Sequence, residues 1–228
     1  MPLDLTDATI VFDLDGTLVD TAPDLTAATN HALELVGLEA MSVAQLHPFI
    51  SHGSRSMIDA GLRFHNRPVT ESELSRLHER FLAFYADNVA VASRPFEGIP
   101  ALLDTLAAAG ARVAVCTNKL EHLSKLLLRE LDLERRFAVI AGRDTFDVFK
   151  PAPGHLIRTI EMAGGRPERA VMVGDSEVDI STAAAANVPS IAVTFGYTPR
   201  PVREFNPGAV IDHYRDFLPV LAKVLAKR

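Results

Sequence analysis

The chain has 228 residues, a formal net charge of −6 and a single cysteine. Its 48% apolar and 23% charged content suits a folded water-exposed chain, and its length suits one large domain or a domain with an insert. The acidic balance leaves no basic surface for nucleic acid or an anionic membrane, and no apolar stretch reaches the ~18 residues of a membrane span. Cys116 excludes an internal disulfide, fits a reducing compartment and sits in an apolar run as an expected core thiol. The opening MPLDLTDATI has neither the basic start nor the apolar stretch of a secretory leader, so a cytoplasmic location is expected.

In chain order, the first predicted element is the strand 9–12, which runs directly into Asp13-Leu14-Asp15-Gly16-Thr17. Helical patterns follow at 23–36, 42–49, 54–64 and 72–88, with no convincing strand between them. Ser42 and Thr70 offer cap chemistry for two of these helices. The chain returns through the stiff segment Arg94-Pro95-Phe96-Glu97-Gly98.

Thereafter short apolar runs at 112–116, 138–141, 170–173, 190–193 and 209–211 alternate with helical segments. Helices 99–109 and 153–163 stop at Gly110 and Gly164-Gly165, and another spans 121–131. The strands do not alternate in polarity, as expected when both faces of a parallel sheet are covered. The expected fold is α/β: a Rossmann-like doubly wound parallel sheet from 1–19 and 94–228, with an inserted α-helical domain at 20–93. An insert after the first strand lies near the sheet's carboxyl edge, where it is placed to act as a lid.

That edge gathers the residues able to do chemistry. Asp13 and Asp15 share one side of an extended backbone, and two like charges so close call for a cation, a basic partner or a shared proton. A solvated acidic turn is the plainer alternative. Thr117 and Asn118 end the second core strand, either binding an oxyanion or capping a helix. Lys150, held extended by Pro151, is either a site residue or a surface lysine. Asp175 and Asp179, around Ser176, are either site acids or helix-start residues, Asp175 as the cap of a helix starting near Ser176 and Asp179 as a first-turn acid. Lys119 is either a phosphate contact or a solvated lysine at a helix start. The histidines 31, 47, 65, 78, 122, 155 and 213 lack zinc-ligand spacing and are expected on the surface or in the insert.

The motifs DLDGTLVD, CTNK, KPAP and GDSEVD, in this order, resemble those of the haloacid dehalogenase superfamily, and the helical insert resembles its C1 cap. The segments DGTLVDTAPDL, RPFEGIPALLDTL and VTFGYT are similar to bacterial phosphoglycolate phosphatases. This resemblance implies a Mg²⁺-dependent phosphatase of small phosphorylated metabolites. Asp13 is implied as nucleophile, forming an aspartyl-phosphate, and Asp15 as the proton carrier. Thr117, Asn118 and Lys150 are implied as phosphate contacts, with Mg²⁺ on Asp13, the Asp15 carbonyl and Asp175. Ser176 and Asp179 are implied supports, Asp179 orienting a metal-bound water or Lys150, while Thr17 is expected to steady Asp15.

Dehalogenases and phosphonate hydrolases of that superfamily lack the second acid. The latter also use a cap lysine, whereas the segment 16–98 holds none. In the cap, the SHGSRSM loop departs from a GNG-like version but keeps its glycine. Arg55, His52 and Gly53 are expected to meet the substrate carboxylate, with a solvated Arg55 as the alternative. The favoured substrate is 2-phosphoglycolate. Sugar phosphates, amino-sugar phosphates, a β-phosphoglucomutase-like isomerisation and a non-catalytic phosphometabolite-binding module are the alternatives. A monomer or homodimer is expected, with neither nucleic acid nor membrane as a partner.

Overall fold

A central six-stranded sheet, parallel at every pairing, carries the site. The computed structural model describes residues 4–226. The sheet strands are β1 (Thr9–Phe12), β4 (Arg112–Cys116), β5 (Val139–Ala141), β6 (Ala170–Gly174), β7 (Ser190–Val193) and β8 (Ala209–Ile211). They lie in the order β5-β4-β1-β6-β7-β8. The chain therefore builds outward from β1 on one side, returns past it, and builds outward on the other. This is the doubly wound arrangement, and its switch point lies where β1 meets β6.

Helices α5 (Ile99–Ala108), α6 (Glu121–Glu130), α7 (Pro153–Met162), α8 (Glu177–Ala185) and α9 (Phe217–Leu225) flank the sheet. On one face Val11, Ala114, Cys116 and Met172 pack with Leu156 and Ile160 of α7 and Ala183 of α8. On the other, Phe12 stacks on Phe217 of α9 with ring centroids 5.9 Å apart. Every residue of β1, β6 and β7 is buried, which explains why these strands show no polar alternation. Gly110 and Gly164 adopt the expected left-handed conformation, with φ of 84° and 77°.

The chain divides into two compact units. One comprises the chain up to Val19 and from Pro95 onward, and the other is Asp20–Arg94. The crossings form a small ribbon of β2 (Val19–Asp20) and β3 (Arg94–Pro95). The second unit holds α1 (Ala22–Glu34), α2 (Val43–Ile50), α3 (Ser54–Phe64) and α4 (Glu71–Asp87). Leu74, Leu77, Phe81 and Tyr85 give α4 its buried stripe. Ser42 forms a capping box with Gln45, and Thr70 accepts the Glu73 N–H at 3.2 Å, as the sequence predicts. Buried Asp24 ties the start of α1 to the returning chain, accepting the backbone N–H groups of Ala92 and Ser93 and the Ser93 hydroxyl. No described helix is long and apolar enough to cross a membrane.

Candidate active site

The parallel register sets Phe12 opposite both Val115 and Val173, so the residues following β1, β4 and β6 leave the sheet at one edge. The Asp13 N–H continues the ladder by one residue, donating to the Val173 carbonyl at 2.9 Å. The chain then turns sharply, with the Gly16 N–H donating to the Val19 carbonyl at 3.0 Å. Gly16 is required there twice over. Its φ is +79°, and a Cβ would lie 2.7 Å from Asp175 Oδ2.

That turn brings the Thr17 hydroxyl to Asp175 Oδ1, to which it donates at 3.0 Å. The expectation that Thr17 steadies Asp15 is thereby corrected, because the turn carries the hydroxyl across to the end of β6. The other Asp175 oxygen accepts the Tyr197 N–H at 2.7 Å, so the carboxylate is fixed at both oxygens. Gly196 permits this approach, since a Cβ there would sit 2.1 Å from Asp175 Cβ. The buried Tyr214 hydroxyl donates to the Thr17 carbonyl at 2.7 Å and holds the turn from outside.

Lys150 is no surface lysine: its side chain is 2% exposed and lies between two acids. Nζ is 2.8 Å from Asp13 Oδ1 and 2.6 Å from Asp179 Oδ1. Asn118 donates through Nδ2 to the Lys150 carbonyl at 2.9 Å, and its Oδ1 is buried without a hydrogen-bond partner. Thr117 and Asn118 do not cap a helix, because α6 begins at Glu121 after Leu120. Ser176, not Asp175, is the N-cap of α8. It forms a capping box with Asp179, whose Oδ2 accepts the Ser176 hydroxyl at 2.6 Å.

His155 corrects another expectation, because it is fully buried rather than on the surface or in the helical insert. It lies in the first turn of α7, where its Nδ1 accepts the Lys150 N–H at 3.2 Å. Lys119 is also largely buried, and its Nζ donates to both oxygens of Asp15 at 3.0 and 3.2 Å.

A match to the haloacid dehalogenase-like hydrolases covers residues 10–193, most of the chain. The chain belongs to that family. It is 48% identical over 218 residues to a phosphoglycolate phosphatase of Mesorhizobium japonicum, covering 96% of both chains. It is 44% identical to a phosphoglycolate phosphatase of Agrobacterium fabrum, covering 96% of this chain and 94% of that one. Among solved structures, a "predicted phosphoglycolate phosphatase from haemophilus somnus" superposes with a TM-score of 0.88 at 28% identity, covering 96% and 99% of the two chains.

The electrostatics of this hydrolase's site are set by crowded acids. Burial pushes the Asp13 carboxyl up to about 6, the Lys150 charge opposing this and Asp179 adding to it. Burial and then repulsion from Asp179 and Asp13 raise Asp175 well above the carboxylate range, against its two hydrogen bonds. Burial works against the Lys150 ammonium, but Asp13 and Asp179 outweigh it and hold the amine above its ordinary range. Ligand oxygens of Asp13, Asp175 and Asp179 lie within 4.8 Å of one another. This all-oxygen donor set carries more negative charge than Lys150 neutralises, and it fits a hard divalent cation. Cys116 is inert beside it, its thiol pushed by burial up to about 12.

The helical unit, taken by itself, places Gly53 at the N-cap of α3 and Arg55 in the first turn. The Arg55 guanidinium donates to Ser75 Oγ at 3.3 Å and pairs with Glu71. His52 is exposed, its Nδ1 3.4 Å from Ser51 Oγ. Sequence reasoning missed Tyr197, which acts through a backbone N–H that no side-chain pattern announces. It also missed Tyr214 and the ring of His155. The aromatic cluster linking Phe195, Tyr214 and Phe217 is the signal that this C-terminal stretch packs under the site.

Proposed function

We propose that this hydrolase is a Mg²⁺-dependent phosphatase that cleaves 2-phosphoglycolate through an aspartyl-phosphate on Asp13. The observation that carries the reading is Asp13 itself. It is a buried carboxylate held against Lys150, within a cluster of acids, at the switch point of the sheet. The phosphoglycolate phosphatases similar to it over nearly their whole length support the choice of substrate.

An Asp13 oxygen attacks phosphorus while the bond to the ester oxygen breaks. Asp15 gives that oxygen a proton, then takes one from the water that hydrolyses the acyl phosphate. Lys150 and Thr117 bind the phosphoryl oxygens as charge redistributes over them, and Asn118 and His155 hold the Lys150 backbone in place. Asp179 keeps the Lys150 ammonium aimed at Asp13, while Ser176 fixes Asp179. Asp13, the Asp15 carbonyl and Asp175 would hold Mg²⁺, which supplies charge neutralisation at the phosphoryl group. Arg55, with His52 and the Gly53 turn, receives the substrate carboxylate in exchange for Glu71.

The test is phosphate release from phosphoglycolate, sugar phosphates, muramic acid 6-phosphate and nucleotides, with Mg²⁺ or with EDTA, compared by kcat/KM. The reading expects Mg²⁺-dependent turnover with phosphoglycolate preferred. A preference for a sugar or amino-sugar phosphate would replace the substrate. Isomer formation without phosphate release would replace the reaction, and binding without turnover would make the chain a regulatory module.

A further inference from the structure

Lysine is mostly a surface residue, yet the Lys119 side chain is 7% exposed and reaches Asp15. Its backbone is fixed from both sides. The Lys119 N–H donates to Thr117 Oγ1 at 3.2 Å, and its carbonyl accepts the Arg143 N–H at 2.9 Å. Gly142 lies so close that a Cβ there would come within 2.7 Å of that carbonyl. With the backbone fixed, the burial of its flexible stem is what restricts the path of the side chain. Its Nζ contacts both Asp15 oxygens, at 3.0 and 3.2 Å, and so holds that carboxyl at the end of β4.

We propose that Lys119 is a positioning residue that holds the Asp15 carboxyl where it exchanges protons with the leaving oxygen and the attacking water. This inference rests on the proposed phosphatase reading. Lys119 neither gives nor keeps a proton in the cycle. The ester P–O bond breaks as the Asp13–phosphorus bond forms, the proton passes from Asp15 to the leaving oxygen, and Asp15 regains one from water.

Proton delivery matters for an alkoxide leaving group and hardly at all for p-nitrophenolate, whereas acyl-phosphate hydrolysis needs Asp15 whatever the substrate. Wild type, Lys119→Met and Lys119→Arg are therefore compared with Mg²⁺ on phosphoglycolate, ethyl phosphate and p-nitrophenyl phosphate. Lys119→Met is expected to lower kcat/KM on both alkyl esters by about tenfold to a hundredfold, as for a misplaced general acid, while sparing kcat/KM on the aryl ester. The same variant should show a pre-steady-state burst of p-nitrophenolate, because its second step has become limiting. Lys119→Arg should recover part of the alkyl activity. Lys119→Gln repeats the comparison if the methionine variant does not fold.

Equal loss on all three esters would make Lys119 a phosphate contact and overturn the proposal. A KM increase confined to phosphoglycolate would make it a carboxylate contact and overturn the proposal equally. Unchanged kinetics would also overturn it. If the wild-type enzyme releases phosphate from none of the esters, the phosphatase reading falls and this inference with it.

Discussion

Replacing Lys150 by methionine keeps an unbranched side chain one atom shorter and removes the cation between Asp13 and Asp179. The ammonium lies 2.8 Å from one carboxylate and 2.6 Å from the other, with 2% of the side chain exposed. Water therefore cannot take its place without repacking. Removing one partner of a buried ion pair costs about 3–5 kcal/mol, because the remaining charge is stranded. Two acids are stranded here, but Asp13, already raised by burial, relaxes by taking up a proton, so about 4 kcal/mol is expected at pH 7 without added metal. The sign with pH follows from Asp13. Lys150 lowers Asp13 against the upward push of burial, so its loss raises the folded-state pKa further above the unfolded value. Such a carboxyl favours folding when protonated, and the deficit shrinks as pH falls from 7 towards 5.

Asp179→Asn in the Lys150→Met background removes one stranded charge while its side-chain oxygen can still accept from Ser176. It should return about 2 kcal/mol, a coupling that a double-mutant cycle isolates. Urea unfolding followed by circular dichroism, at pH 5 and 7 in EDTA, reads these differences. Phosphate release should fall by about 10²-fold or more in kcat for both variants. A Lys150→Met protein as stable as wild type at pH 7, or with near-normal turnover, would refute the reasoning.

Burial holds the His155 imidazole down at about 4, with the Lys150 charge in support, so it stays neutral in the folded chain while the unfolded chain protonates near 6.5. The stability it contributes is complete above pH 6.5 and is lost as pH falls towards 4, by at most about 3 kcal/mol. His155→Gln should flatten that part of the melting-temperature profile, and an unchanged slope would count against it. Gly196→Ala forces a methyl to within 2.1 Å of Asp175 Cβ. It should cost about 1–3 kcal/mol by overpacking and raise the Mg²⁺ concentration for half-maximal activity; normal Mg²⁺ titration would place Asp175 outside the metal site. Arg55→Ala should raise KM for phosphoglycolate while sparing p-nitrophenyl phosphate, and equal loss on both would return Arg55 to its pairing with Glu71.

The sheet was legible because strands buried on both faces are mostly apolar and do not alternate, and in β1, β6 and β7 the polar side chains are Thr9 and Ser190 alone. The helix ends at Gly110 and Gly164 were legible because a left-handed terminal residue favours glycine. The ribbon Val19–Asp20 with Arg94–Pro95 was not, since a two-residue strand has no period to read. Within the site, residue identities were legible and their directions were not. Thr17 was expected at Asp15 and lies on Asp175, because the Gly16 turn sets where its hydroxyl points. Lys119 reaches Asp15 across a separation of 104 residues, a pairing that only the adjacency of β1 and β4 creates.

Asp179 shows why plain and functional explanations of one residue need not compete. As the third residue of α8 it completes a capping box, and Oδ2 accepts both the backbone N–H and the hydroxyl of Ser176. Capping occupies one oxygen and fixes the rotamer, which leaves Oδ1 pointing at Lys150 at 2.6 Å. A helix start placed directly after β6 therefore does two things with one carboxylate: it ends the strand's turn, and it delivers a rigid acceptor to the lysine that faces Asp13. Asp179→Asn can preserve the cap while losing the charge, whereas Asp179→Ala loses both. The stability difference between the two variants measures the local role, and the activity they lose in common measures the long-range one.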